Sequence, residues 1–192
     1  MNTISVMIVG VGGQGTLLAS KVLGQALVSL DYDVKVSEVH GMSQRGGSVV
    51  TYVRYGSEVH SPIVDLGEAD YMLAFEPLEA ARYLPYLKKD GVIITNTRET
   101  MPMPVITGAA ACPENIVEKL KARANVVALD AMQLALEAGN AKAVNMVLMG
   151  VLAARMDLPE DVWQAALTKQ VPAKFLELNR HAFALGQAQK GV

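Results

Sequence analysis

The opening segment constrains the fold most. Ile4 to Val9 is an apolar run rich in β-branched residues, and Gly10-Val11-Gly12-Gly13-Gln14-Gly15 ends it. Leu17, Leu18, Val22, Leu23, Ala26 and Leu27 then recur at helical spacing up to Leu30. A buried strand, a glycine turn and an amphipathic helix in that order start a parallel α/β unit. Composition agrees. The chain has 192 residues and is 51% hydrophobic but only 5% aromatic. Its apolar residues are mostly Ala, Val, Leu and Met, which suits helices packed on a parallel sheet. The expected fold is α/β: a Rossmann-like three-layer domain with a mostly parallel sheet, an inserted β-hairpin and C-terminal helices.

Residues 1–192 read as one domain, with an α/β body over 1–130 and C-terminal helices over 131–192. After a turn at Asp31-Tyr32-Asp33, Val34 to Val39 gives the second strand. Ser48 to Tyr55 alternates polar and apolar residues, and Gly56-Ser57 leads into Glu58 to His60, the pattern of a hairpin. Further strands are expected at Tyr71 to Phe75, Val92 to Thr95 after a turn at Asp90-Gly91, and Val126 to Leu129. Helices are expected over 77–87, interrupted by Pro85, and over 113–123, 143–156, 159–170 and 173–189. Met101 to Pro104 carries two prolines and reads as a loop. Asp130 is placed to cap the following helix.

Bulk properties exclude several functions. A net charge of -2 gives no broad attraction to phosphate polymers, and few aromatics leave few stacking platforms, so nucleic-acid binding is not expected. The longest apolar stretch, Ala143 to Ala154, is shorter than the ~20 residues that span a bilayer. The N-terminus lacks the pattern of a secretory signal, and the chain reads as cytoplasmic. Cys112 is the only cysteine, so this chain forms no internal disulfide and holds no cysteine-ligated cluster by itself.

Two loops carry candidate chemistry. Gly10, Gly12 and Gly15 spell Gly-x-Gly-x-x-Gly between strand and helix, so the N–H groups of Gly10, Gly12, Gly13, Gln14 and Gly15 are candidate phosphate ligands. The same glycines also permit a tight turn with no ligand, and both readings stay open. The second loop follows the second strand: Ser37-Glu38-Val39-His40-Gly41-Met42-Ser43-Gln44-Arg45-Gly46-Gly47. Arg45 offers a planar fork for a carboxylate or phosphate, and Gly46-Gly47 lets N–H groups face the same anion. Ser43 and Gln44 add neutral hydrogen-bonding groups. His40 is a weak candidate acid or base. Glu38 occupies about the place of the acid that holds the ribose in NAD sites. Asn145 reads as a buried polar contact to another helix or subunit. Glu76 and Glu79 flank a strand end, which leaves a second-site role open, and read by default as a solvated helix start.

Both loops resemble the gamma-type component of 2-oxoacid:ferredoxin oxidoreductases, as do Ala74-Phe75-Glu76-Pro77-Leu78-Glu79-Ala80 and Asn96-Thr97. The resemblance covers most of residues 4–155 and is nearest to the arylpyruvate (indolepyruvate) branch. It implies a complex that oxidatively decarboxylates a 2-oxoacid to an acyl-coenzyme A and passes electrons to ferredoxin. That complex uses thiamine diphosphate with Mg2+, iron–sulfur clusters, and coenzyme A as co-substrate. This chain has no cysteine set and no thiamine signature, so those groups are expected on a larger partner subunit, and this chain is expected to be inactive alone. A homodimer of the isolated chain is compatible with the sequence. The loops of Glu38, His40, Ser43, Gln44, Arg45, Gly46 and Gly47 then either clamp an anionic part of coenzyme A or substrate, or lock the subunit interface. The alternatives are a gamma subunit for 2-oxoglutarate or another 2-oxoacid, and a self-sufficient NAD-binding dehydrogenase.

Overall fold

A computed structural model describes residues 3–40 and 47–189; of His40 it describes the backbone alone. The loop residues Gly41, Met42, Ser43, Gln44, Arg45 and Gly46, and the His40 side chain, lie outside the described part.

Six strands form one sheet in the order β2-β3-β1-β4-β5-β6. They are β1 (Ile4–Val11), β2 (Asp33–His40), β3 (Ser48–Gly56), β4 (Ala69–Ala74), β5 (Leu87–Asn96) and β6 (Asn125–Leu129). β1, β4, β5 and β6 run parallel, whereas β3 is antiparallel to both β1 and β2. A parallel return needs a crossover of a dozen or more residues. Only 41–47 separate β2 from β3, so the chain must double back.

This corrects two expectations. The inserted antiparallel strand is present, but its partners are β1 and β2, and Glu58 to His60 is not a strand. Nor is Asp90-Gly91 a turn before a strand. β5 starts at Leu87 and carries both residues through an irregularity beside Ala69 and Tyr71. A Cβ on Gly91 would lie 2.8 Å from the Ala69 carbonyl oxygen, so a glycine lets the bulged strands approach.

Alternate residues of β1 serve two cores. Val6 and Ile8 face a layer built from α1 (Thr16–Val28), α6 (Val144–Ala153), α7 (Glu160–Gln170) and α8 (Leu176–Gln187). Met7 and Val9 face α2 (Pro77–Tyr83) and α4 (Ile116–Lys121). The continuous apolar run of β1 thus reflects burial on both faces. The C-terminal helices share the core of the α/β body. All ten residues of α6 are buried, and Met146 to Met149 belong to the core. α6 and α8 approach through two glycines: a Cβ on Gly150 would stand 2.0 Å from the Phe183 carbonyl oxygen, and one on Gly186 2.0 Å from that of Val147.

Smaller elements follow local rules. Pro85 lies in a 3-10 turn, Leu84–Tyr86, that closes α2. Met101 to Pro104 is not all loop, because α3 (Met103–Ile106) begins after Pro102 and takes Pro104 in its first turn. Asp130 caps α5 (Ala131–Glu137), its Oδ1 accepting from the Gln133 N–H at 2.9 Å.

Candidate functional site

The carboxyl ends of β1, β4 and β5 open onto a cleft of about 550 Å3. Gly13, Gln14 and Gly15 form one wall, Phe75 and Asn96 the floor, and Arg98, Thr100 and Lys142 the rim. This is where open α/β sheets bind ligands. Arg98 and Lys142 are exposed cations from separate connections, one after β5 and the other just ahead of α6. The 13-residue α1 starts at this wall with no side-chain cap and no acid in its first turn, and α6 starts beside it in the same condition. Both helix ends direct partial positive charge at the cleft.

The glycine loop is held by the protein's own side chains. Gln14 folds back so that its Oε1 accepts from the Val11 N–H at 2.8 Å. A Cβ on Gly10 would lie 2.7 Å from that oxygen and 3.1 Å from the Phe75 Cβ. Gly15 has φ 88°, and a Cβ there would meet the Asn145 amide nitrogen at 2.8 Å. Asn145, the buried polar residue of α6, donates to the Gly15 carbonyl oxygen at 3.3 Å. Gly10 and Gly15 therefore have packing reasons to be glycine. Gly13 differs: its φ is 102°, it is exposed, and a Cβ would touch nothing within 4 Å.

The two loops singled out in the sequence meet directly. The Gly12 N–H donates to the Gly47 carbonyl oxygen at 2.9 Å, which fixes the exit of the arginine loop against the glycine loop. Glu38 lies elsewhere. β3 separates β2 from β1, so Glu38 stands two strand spacings, about 10 Å, from β1. Its Oε1 accepts from the Ser20 hydroxyl of α1 at 3.2 Å, in a groove with Leu17, Lys21, Gly24 and Val36. An NAD site needs its acid on the strand next to the glycine loop. The inserted strand removes Glu38 from that position.

Several site residues were not legible as such. Arg98, Thr100 and Lys142 sit in exposed connections with no motif around them. Glu76 and Glu79 are not solvated; they are 2% and 3% exposed. Glu76 accepts from the Gln14 amide at 2.5 Å and from the Thr100 N–H at 3.3 Å. Glu79 accepts from the Ser48 hydroxyl at 2.5 Å and pairs with Arg82 at 3.3 Å. Burial pushes the Glu76 carboxyl above its ordinary range, while the hydrogen bonds from Thr100 and Gln14 pull it part of the way back. Asn96 receives the Ala131 N–H at 3.1 Å and so joins β5 to the start of α5.

A family model described as pyruvate ferredoxin/flavodoxin oxidoreductase matches residues 5–189. The chain belongs to that oxidoreductase family. Among its curated relatives, indolepyruvate oxidoreductase subunit IorB of Thermococcus kodakarensis is 44% identical over 97% of this chain and 95% of its own. IorB of Archaeoglobus fulgidus is 37% identical over 97% and 94%. The pyruvate/ketoisovalerate oxidoreductases common subunit gamma of Pyrococcus abyssi is 28% identical over 75% and 73%. The crystal structure of the keto/oxoacid ferredoxin oxidoreductase gamma subunit from Geobacter sulfurreducens matches with a TM-score of 0.73 at 23% identity, over 97% of this chain and 98% of its own. The 2-oxoglutarate:ferredoxin oxidoreductase from Magnetococcus marinus, solved with 2-oxoglutarate, coenzyme A and succinyl-CoA bound, matches with a TM-score of 0.75 at 18% identity. That match covers 99% of this chain and 31% of the other. At such identities these two structures establish the shared fold.

Complexes of this oxidoreductase family use thiamine diphosphate and iron–sulfur clusters. The residues of this chain do not fit a cluster, since four cysteine ligands are the rule and Cys112 is the only cysteine. Among the described residues no three His, Cys, Asp or Glu side chains converge as a metal site. No described helix is long and apolar enough to cross a membrane.

Proposed function

We propose that this chain is the small subunit of an indolepyruvate or related arylpyruvate:ferredoxin oxidoreductase, and that its cleft receives an anionic part of coenzyme A. The complex converts the 2-oxoacid to an acyl-coenzyme A and carbon dioxide, with ferredoxin as electron acceptor. Thiamine diphosphate, Mg2+ and the clusters reside on a larger partner subunit, and this chain alone turns nothing over. The unpaired Cys112 suits a reducing compartment such as the cytoplasm.

One observation carries the ligand assignment. A glycine loop, two helix N-termini and the cations Arg98 and Lys142 converge on one cleft at the carboxyl end of the sheet. That arrangement favours a phosphate or carboxylate. Arg45 and the rest of the 41–46 loop are assigned to the same anion, or to the subunit interface, on sequence resemblance. Gly47, the residue that follows 41–46, is bonded to Gly12 of the glycine loop.

The test is anaerobic affinity purification of the tagged chain from its native cell, followed by turnover assays. A stoichiometric larger chain with iron–sulfur absorbance, and arylpyruvate-dependent ferredoxin reduction that needs coenzyme A, is the expected result. A colourless chain recovered alone overturns the tight complex. Arg45→Lys keeps the charge but loses the fork. If turnover, coenzyme A affinity and assembly all survive that change, Arg45 is not the clamp.

A further inference from the structure

The glycine loop, the Arg98 segment and the exit of the arginine loop come together at this end of the sheet; the Val11–Ser48 pairing and the Gly12–Gly47 bond join the first to the last, and no strand pairing ties the Arg98 segment to either. Two buried carboxylates on one short helix touch all three. Glu76, at the start of α2, accepts from Gln14 of the glycine loop and from Thr100 of the segment that carries Arg98. Glu79, in the first turn of α2, accepts from Ser48, the residue after Gly47. We propose that Glu76 and Glu79 are positioning residues that hold the glycine loop, the Arg98 segment and the exit of the arginine loop in register around the cleft.

Three observations support this beyond simple packing. First, the donors leave Glu76 no substitute. Gln14 cannot flip, because its Oε1 is committed to the Val11 N–H and its amide must therefore face Glu76. The Thr100 N–H faces the other oxygen. Only a group with two acceptors satisfies both, and a carboxylate is that group. Second, the two acids lie at the start of the same helix, so one rigid element references all three loops. Third, keeping an ionised carboxyl at 2% exposure is costly for folding, and burial does push the Glu76 carboxyl upward. Costly polar groups retained in this way gather at functional sites.

Coenzyme A affinity as a readout rests on the function proposed above, so the experiment separates the two claims. The assembled complex carries Glu76→Gln, or the reciprocal exchange Gln14→Glu with Glu76→Gln, or Arg98→Ala. Glu76→Gln puts an N–H2 against either the Gln14 amide or the Thr100 N–H, so one bond is lost in any rotamer. The reciprocal exchange restores all three bonds: residue 14 accepts from Val11 and from the new amide, whose oxygen accepts from Thr100. Hydrogen exchange over residues 10–15 and 97–101 is read without ligand, and KM and kcat are read with it.

For Glu76→Gln the expected result is faster exchange in both segments and a KM for coenzyme A raised roughly tenfold. kcat at saturation changes far less. The reciprocal exchange recovers the protection, whatever the new charge at the cleft does to KM. Unchanged exchange in both segments, or protection not recovered by the reciprocal exchange, overturns the positioning role. If instead Arg98→Ala leaves KM for coenzyme A unmoved, the ligand assignment falls. The exchange data then decide the positioning role by themselves.

Discussion

The Asn145 amide nitrogen donates to the Gly15 carbonyl oxygen at 3.3 Å, and a Cβ on Gly15 would stand 2.8 Å from that same nitrogen. The last glycine of the fingerprint is thus held by α6, 130 residues further along the chain. Gly15 also has φ 88°, a conformation that disfavours any side chain. Gly15→Ala should cost about 2–4 kcal/mol from strain and contact together. Denaturant unfolding of the isolated chain measures this. In an Asn145→Ala background the contact part of the cost should vanish and only the backbone part remain. Equal costs in both backgrounds would show that Asn145 does not enforce this glycine.

Gly150 and Gly186 make a similar case away from the cleft. Each lies against a carbonyl oxygen of the facing helix, so an added methyl group must push α6 and α8 apart. Gly150→Ala or Gly186→Ala should destabilise the chain by at least ~1–3 kcal/mol. The double variant should cost less than the sum, because the first methyl already opens the crossing. Additive losses would mean that the two contacts are independent.

Arg98 and Lys142 should act on binding and not on folding, since both are exposed at the rim of the cleft. Alanine at either position should raise KM for coenzyme A roughly tenfold, the low end for a charge-assisted hydrogen bond because solvent screens both. The melting temperature should barely move. Raising the salt concentration should weaken the wild-type complex more than either variant, because fewer charges remain to screen. A KM for coenzyme A that stays unmoved or falls in both variants would mean that these cations do not meet its anionic part.

The same contacts explain what the sequence could and could not reveal. The strand, glycine turn and helix at residues 4–28 were legible because their periodicity is local. β3 was legible as antiparallel, but its partners were not. Whether Ser48–Gly56 pairs with a neighbour downstream or inserts between β1 and β2 depends on the whole sheet. That insertion also decides the fate of Glu38, which looked like a ribose ligand only while β2 was assumed to flank β1. Asn145 announced itself as a polar residue in an apolar helix, and its partner proved to be Gly15. Glu76 was legible as a residue near a strand end but not as buried, because helix-start acids are usually solvated. Arg98 and Lys142 carry no local signal, and only the fold makes them neighbours.

Glu76 gives the chain a pH dependence opposite to that of a typical paired acid. Burial raises its carboxyl above the ordinary value of 4.5, the Thr100 and Gln14 bonds offset part of this, and the nearby Glu79 adds to the rise. An acid raised in the folded state binds its proton more tightly there than in the unfolded chain. Its contribution to stability is therefore complete below about pH 4.5 and is lost as pH rises through the elevated folded value. Glu76→Gln removes that titration. The melting temperature of the variant minus that of the wild-type chain should become more positive as pH is raised from about 4 to 7. A difference that stays flat, or moves the other way, would mean that the hydrogen bonds outweigh burial and that Glu76 is ionised at little cost.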